Sequence, residues 1–64
     1  MIDESEQEGT IVEYTLLGNF IKVTAIDTRS GREVSLIGSP RAPRRQLADL
    51  AARKLRYVMN RDNG

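Results

Sequence analysis

The chain has 64 residues, of which 39% are hydrophobic and 30% are charged, so it accommodates one small globular domain. It contains neither histidine nor cysteine, which excludes a His/Cys metal site, a disulfide framework and a thiol nucleophile. The formal net charge of +1 hides an uneven distribution of charge along the chain. Residues 1–9 are acidic, the charges of residues 10–39 cancel, and residues 40–64 are basic. We expect no cofactor, since so small a core leaves no room for a cofactor cavity.

The two ends of the chain are predicted to lie outside the folded domain. Residues 1–9 hold four carboxylates, no basic residue and no hydrophobic periodicity, which predicts a disordered acidic tail. Residues 61–64 are expected to fray, leaving a single domain over residues 10–60. The acidic start of the chain and its short apolar runs predict a cytoplasmic protein without a membrane segment.

Three β-rich runs follow the tail. Gly18-Asn19 separates the runs Thr10–Leu17 and Phe20–Asp27, which predicts a hairpin with a two-residue turn. The turn Thr28–Gly31 then leads into a third run, Arg32–Gly38, with Asp27 opposite Arg32. These two registers place the following apolar residues on one face of an antiparallel meander: Val12, Tyr14, Leu16, Ile21, Val23, Ala25, Val34 and Leu36.

A helix is predicted from Arg44 to about Asn60. Pro43 suits its first turn, and the segment is rich in Leu, Ala, Arg and Lys. At 100° per residue we expect one side of the helix to pack on the apolar sheet face through Leu47, Leu50, Ala51, Leu55 and Val58. The sequence therefore predicts an α+β fold, a three-stranded antiparallel meander with one C-terminal helix on one face (βββα).

The opposite sheet face is the first candidate for function. It carries several large apolar residues among polar ones, and this pattern is typical either of a docking surface or of an ordinary solvated face. The candidate protein interface consists of Leu17, Phe20, Lys22, Ile26 and Ile37. Since a 64-residue chain has a small core, a homodimer or a protein partner on this face is our leading hypothesis.

The basic helix is the second candidate. Its arginines either follow a phosphate backbone or form a solubilising face, and no RNP, KH or helix-turn-helix motif accompanies them. Those before the helix and in its first turn would also suit an anion at the helix N-terminus. The candidate contacts for an anion or nucleic acid are Arg41, Arg44, Arg45, Arg53 and Arg56. We keep a nucleic-acid-binding module as the alternative function.

No catalytic constellation is present in the sequence. The serines have no histidine to activate them, and the isolated glycines form no phosphate loop. Lys54 falls at the edge of the apolar stripe, where we expect its stem to pack and its ammonium group to reach water. We therefore expect a protein that is not an enzyme, with no catalytic, cofactor-binding or metal-ligating residue.

Three segments of the chain resemble a known family. Lys22–Asp27, Gly31–Ser35 and Arg53–Val58 are similar to strings found in a family of short uncharacterised alphaproteobacterial proteins, a domain of unknown function. The resemblance extends from about Val12 to Asn60 and implies a bacterial, cytoplasmic setting. It implies no catalytic or binding residue.

Overall fold

The computed structural model of the chain describes residues 9–63, so the predicted acidic tail lies, apart from Gly9, outside the described residues. Three strands, β1 (Thr10–Leu17), β2 (Phe20–Asp27) and β3 (Glu33–Gly38), are followed by one helix, α1 (Arg44–Asn63). The strands form one sheet in the order β1-β2-β3, with both neighbouring pairs antiparallel. The structure confirms the predicted α+β fold, βββα.

Both turns have the geometry that their residues favour. Gly18 adopts a φ of +61°, and Asn19 has a negative φ, which is the pattern of a type II′ hairpin turn. At the second turn, the Asp27 carboxylate accepts hydrogen bonds from the Ser30 backbone N–H at 2.9 Å and from Ser30 Oγ at 2.7 Å. These bonds hold the pKa of Asp27 below its ordinary value. The resulting strand registers are those predicted, with Leu17 opposite Phe20 and Asp27 bonded to Arg32.

The core lies between the helix and one face of the sheet. Its strand residues alternate along β1 and β2, as the period of two requires, and Val23 at the centre of β2 is fully buried. The buried residues of the cluster are Val12, Ile21, Val23, Ala25, Leu47, Ala48, Ala51 and Leu55. Tyr14, Val34 and Leu36 pack against it at the sheet margins.

The helix is rotated relative to the sequence prediction. Ala48 and Ala52 are buried, whereas Leu50, expected in the core, is 42% exposed. At 100° per residue, the centre of the buried stripe lies roughly 55° from the centre of the predicted one. Alanines on the inward side let the helix backbone approach the sheet closely, and this packing turns the bulkier Leu50 outward.

Leu16 is the second departure from the predicted core. The helix lies mainly over β2 and β3, so it does not cover the side chains near the end of β1. Leu16 is 66% exposed although it occupies the same face as Val12. The alternation of β1 predicted its face correctly, but the offset of the helix decides whether that face is buried.

The helix also continues to Asn63, beyond the end expected near Asn60. Arg32, which directly precedes β3, forms an ion pair with Asp62, and this pair anchors the last turn. The Arg32 hydrogen bond holds the pKa of Asp62 below its ordinary value. Residues 61–63, which lie in the segment expected to fray, are helical in the structure.

Candidate interaction surface

The sheet face opposite the helix, called here the open face, carries every second residue of the three strands. Its members are Ile11, Glu13, Thr15, Leu17, Phe20, Lys22, Thr24, Ile26, Glu33, Ser35 and Ile37. The strand register aligns these residues in rows that run across the sheet. Ile37, for example, shares a row with Lys22 and Thr15.

Three apolar side chains gather at the hairpin end of the open face. Leu17 and Phe20 are directly opposite each other, and Ile37 lies one row away, on the far side of β2. Their exposed fractions are 47%, 58% and 57% respectively, so each keeps about half of its surface in water. The structure thus brings together three of the five predicted interface residues as one patch, called here the apolar patch.

The other two predicted interface residues have different positions. Lys22 is exposed and lies in the same row as Ile37, directly opposite it on β2. Ile26 is partly buried beside Ile11 at the other end of the face, and the six residue steps from Phe20 to Ile26 span about 20 Å. A small partner that covers the apolar patch therefore does not reach Ile26.

A polar row separates the two ends of the open face. Thr24 is buried at its centre, and its hydroxyl lies 2.8 Å from the Ser35 hydroxyl on β3. Glu13 completes this row on β1 and is exposed. The sequence analysis predicted no bond between Thr24 and Ser35, although the direct pairing of two hydroxyl-bearing residues across the strands is a signal for such a bond.

The predicted anion contacts do not form one patch. Arg45, Arg53 and Arg56 are exposed along the outer side of α1, and none of them forms an ion pair with another described residue. Arg44 instead turns back toward the sheet, with its guanidinium 4.9 Å from the centre of the Tyr14 ring. Its carbonyl also accepts a hydrogen bond from the Tyr14 hydroxyl at 3.3 Å.

A shallow depression of about 500 Å³ lies on the outer side of the helix near its start. Two arginines line it, and an aspartate stands between them at four-residue spacing; the full lining is Pro43, Arg45, Gln46, Asp49, Leu50 and Arg53. The carboxylate of Asp49 lowers the positive potential of the depression. This arrangement favours a solvated helix face over a tight anion site.

Lys54 has a more specific role than sequence reasoning predicted. Its Nζ donates a hydrogen bond to the backbone carbonyl of Ser35 at 2.8 Å. The side chain therefore connects the helix to β3, and its ammonium group binds the Ser35 carbonyl at the margin of the sheet. The sequence placed Lys54 at the edge of the apolar stripe but carried no sign of its partner.

Among residues 9–63, no group of three or more Asp or Glu side chains could hold a metal ion. Over the same residues, α1 is not apolar enough to span a bilayer.

Comparison with known proteins gives a family but no characterised relative. No curated protein and no solved structure matches the chain. Residues 7–62 match a family model described as a domain of unknown function, DUF6898. This match covers both turns, the whole sheet and nearly all of the helix. The chain therefore belongs to the family of domains of unknown function DUF6898.

Proposed function

We propose that the chain is a non-enzymatic interaction module that associates with a second copy of itself or with another protein through the open face. The observation that carries this proposal is the apolar patch, in which Leu17, Phe20 and Ile37 are each about half exposed. Apolar patches of this kind on small domains mark surfaces that dock proteins.

The apolar patch alone supports only a weak complex. Full burial of a Leu, Ile or Phe side chain contributes roughly 1.5–3 kcal/mol. Since half of each side chain is already buried, covering all three yields about 3 kcal/mol. Association costs at least ~4 kcal/mol in lost freedom of motion. A stable complex must therefore also bury part of the polar row or the Ile11 and Ile26 end of the face.

The charge of the open face suits a protein surface better than a phosphate polymer. Glu13 and Glu33 accompany Lys22 on this face, and all three side chains are exposed. The arginines of the helix lie on the opposite side of the molecule. Two copies are therefore able to approach face to face without bringing their basic helices together.

Association through this face is tested by recording two-dimensional amide spectra over a range of protein concentration. We expect shifts at Leu17, Phe20 and Ile37 that disappear in the Phe20→Glu variant. The matched control is Tyr57→Glu, since Tyr57 is also an exposed aromatic residue but lies on the helix. Spectra that do not change with concentration, or changes that persist in Phe20→Glu, would contradict self-association through the open face.

A nucleic-acid-binding function is the second candidate. It is favoured by the exposed guanidinium groups of Arg45, Arg53 and Arg56, which have no anionic partner among the described residues. Exposed Tyr57, with the Arg61 guanidinium 5.8 Å from its ring centre, adds a surface on which a base could stack. Arg44 contributes less because it is held against Tyr14, whereas Arg41 is exposed just before the helix.

The nucleic-acid proposal predicts binding to single-stranded RNA that weakens steeply with salt. Fluorescence anisotropy with a labelled polyuridine probe measures this. Arg53→Glu is expected to weaken binding, whereas Lys22→Glu serves as the control because Lys22 is exposed on the open face, on the side of the sheet away from the helix. An absence of binding at low salt would remove this candidate.

The proposed function also includes a cellular location and a source. We infer a bacterial, cytoplasmic protein of alphaproteobacterial origin, and the resemblance of Lys22–Asp27 and Arg53–Val58 to that group supports it. Fractionation of cells that express a tagged chain tests the location; recovery in a membrane or periplasmic fraction would contradict it.

A further inference from the structure

The open face has apolar residues at both ends. Leu17 and Phe20 form the row at the hairpin end, and Ile11 and Ile26 form a row three rows away. Ile11 keeps 37% of its surface exposed, so this second end also presents apolar surface to water. The face therefore offers two apolar areas of similar width, separated by about 20 Å along the strands.

The two rows between these ends carry charged and hydroxyl groups. Lys22 lies in the row nearer the hairpin, and Glu13 lies in the next row, on the neighbouring strand. Both are exposed, and neither forms an ion pair with another described residue. In the row of Glu13, the hydroxyl groups of Thr24 and Ser35 are 2.8 Å apart and already hydrogen-bonded. This row can therefore be covered without leaving those hydroxyl groups unpaired.

We propose, resting on the proposed function of the open face, that its occupant is a second copy of this chain packed sheet on sheet with its strands reversed. The two-fold axis runs across the strands, between the two middle rows. Packed sheets lie about 10 Å apart, and the two helices then occupy the outer sides of the dimer. The apolar patch of each copy covers the Ile11 and Ile26 end of the other, which supplies the additional buried surface that the apolar patch lacks by itself.

The strand register fixes the apolar contacts of this dimer. The axis keeps each strand over its own copy and reverses the order of the rows. Leu17 therefore faces Ile11 of the second copy, and Phe20 faces Ile26 of the second copy. The symmetry forms each contact twice, so all four apolar rows of the pair are covered.

The same register brings opposite charges together. Lys22 faces Thr24 of the second copy, and Glu13 of the second copy lies one strand spacing, about 4.8 Å, to the side. The ammonium group and the carboxylate, which form no ion pair within the described chain, thus come within reach of each other. Glu33 faces the position beyond Gly38, where β3 of the second copy has ended, and stays in water at the rim.

A two-fold axis along the strands gives a poorer match. Each row then faces the same row of the second copy, so Lys22 on the central strand lies over its own copy, and like charges in that position repel. Ile11 lies over Glu33 of the second copy, and Leu17 lies over no strand residue, because β3 ends before that row. Charge and apolar contacts therefore both select the reversed arrangement.

The size of the open face predicts a weak dimer. Three strands about 4.8 Å apart and eight residues at about 3.4 Å each give a footprint of roughly 14 by 27 Å on each copy. Interfaces of standard size bury more, about 800 Å² per partner. We therefore expect a dissociation constant between about 10 μM and about 1 mM.

The first test measures which ends of two copies meet. The chain contains no cysteine, so Asn19→Cys provides a single site for a nitroxide label at the hairpin end. The labelled chain is mixed with isotope-labelled wild-type chain near the upper end of that concentration range. We expect the nitroxide to broaden the amide signals of Ile11 and Ile26 in the wild-type chain. The matched control is Arg53→Cys with the same label, which lies on the outer side of the helix and is expected to broaden neither end.

Sedimentation equilibrium of charge variants gives the second test. Lys22→Glu and Glu13→Lys each bring like charges together in the reversed dimer, and each is expected to raise the dissociation constant at least about tenfold. A mixture of the two variants is expected to associate again, because opposite charges face each other in the mixed dimer. Asp49→Lys, a charge reversal on the outer side of the helix, is the control and is expected to leave the dissociation constant unchanged.

The outcomes separate this inference from the proposed function. Broadening confined to the hairpin end, or a dissociation constant unchanged in both charge variants, overturns the reversed arrangement while association through the open face stands. A wild-type chain that is monomeric at every concentration overturns the second copy as the occupant, and docking of another protein is then the surviving part of the proposed function.

Discussion

Replacing a single leucine on the helix tests which of its sides faces the sheet. Leu55 is 2% exposed within the core, and Leu50, five residues earlier, is 42% exposed on the outer side. Leu55→Ala leaves a cavity between helix and sheet, and buried Leu→Ala substitutions cost about 2–5 kcal/mol. Leu50→Ala removes only partly buried surface and gains slightly in helix propensity, so its cost is about 1 kcal/mol or less.

This difference is large relative to the total stability of the domain. A core of this size rarely supplies more than ~3–5 kcal/mol of unfolding free energy. We therefore expect Leu55→Ala to be largely unfolded at 25 °C and Leu50→Ala to remain folded. Urea unfolding followed by far-ultraviolet circular dichroism measures both free energies, and the slope of the transition shows whether the folded state has kept its buried surface.

Equal losses in the two variants would refute the observed rotation of the helix. Equal losses are the result that the sequence prediction implies, because it placed both Leu50 and Leu55 against the sheet. The comparison is internally controlled, because both variants make the same chemical change within the same helix.

Three further outcomes are expected. Gly38→Ala places a methyl group 2.8 Å from Leu47 Cδ2 and should cost about 1–2 kcal/mol in thermal unfolding, a loss that shrinks in a Leu47→Val background. Lys54→Met keeps the stem but loses the ammonium bond, and should lower the urea unfolding free energy by about 1 kcal/mol; an unchanged midpoint would show that the bond is not stabilising. The Ser30 side-chain hydrogen bond is the main cause that lowers the pKa of Asp27 in the folded chain. The stabilisation of the fold by the Asp27 carboxylate is therefore complete above the ordinary pKa of an aspartate and is lost as the pH falls through the lowered pKa. The stability difference between wild type and Asp27→Asn should therefore shrink in acid, and a constant difference would contradict this.

The strands and their register were predictable from the sequence. A two-residue Gly18-Asn19 turn leaves one way to pair the flanking residues, and the alternation of apolar residues then assigns both faces. The same argument carried across the second turn to β3. These features follow from local geometry, which a sequence records directly.

The packing of the helix was only partly predictable. A periodicity argument gives weight to large apolar residues, so it placed Leu50 inward and passed over Ala48 and Ala52. Close approach between a helix and a sheet is decided by small residues on both, including Gly38, whose missing side chain accommodates Leu47. Such shape complementarity depends on both packed surfaces, so the sequence of either segment alone does not predict it.

The candidate interface was predicted in part for the same reason. Register arguments assign Leu17, Phe20 and Ile37 to one face, and the structure places them side by side. Ile26 shares that face but lies at its other end. The bond from Lys54 to Ser35 joins residues 19 positions apart and has no local signal in the sequence.

The single lysine contact at the β3 margin has a consequence for assembly size. A sheet with two receptive margins adds copies without limit and grows into a filament, as head-to-tail contacts do when they fail to close. Here the Lys54 ammonium already occupies the Ser35 carbonyl on the β3 margin, so a strand added at that margin must displace it. A contact that ties the helix to the sheet thereby also limits the growth of the sheet at its β3 margin.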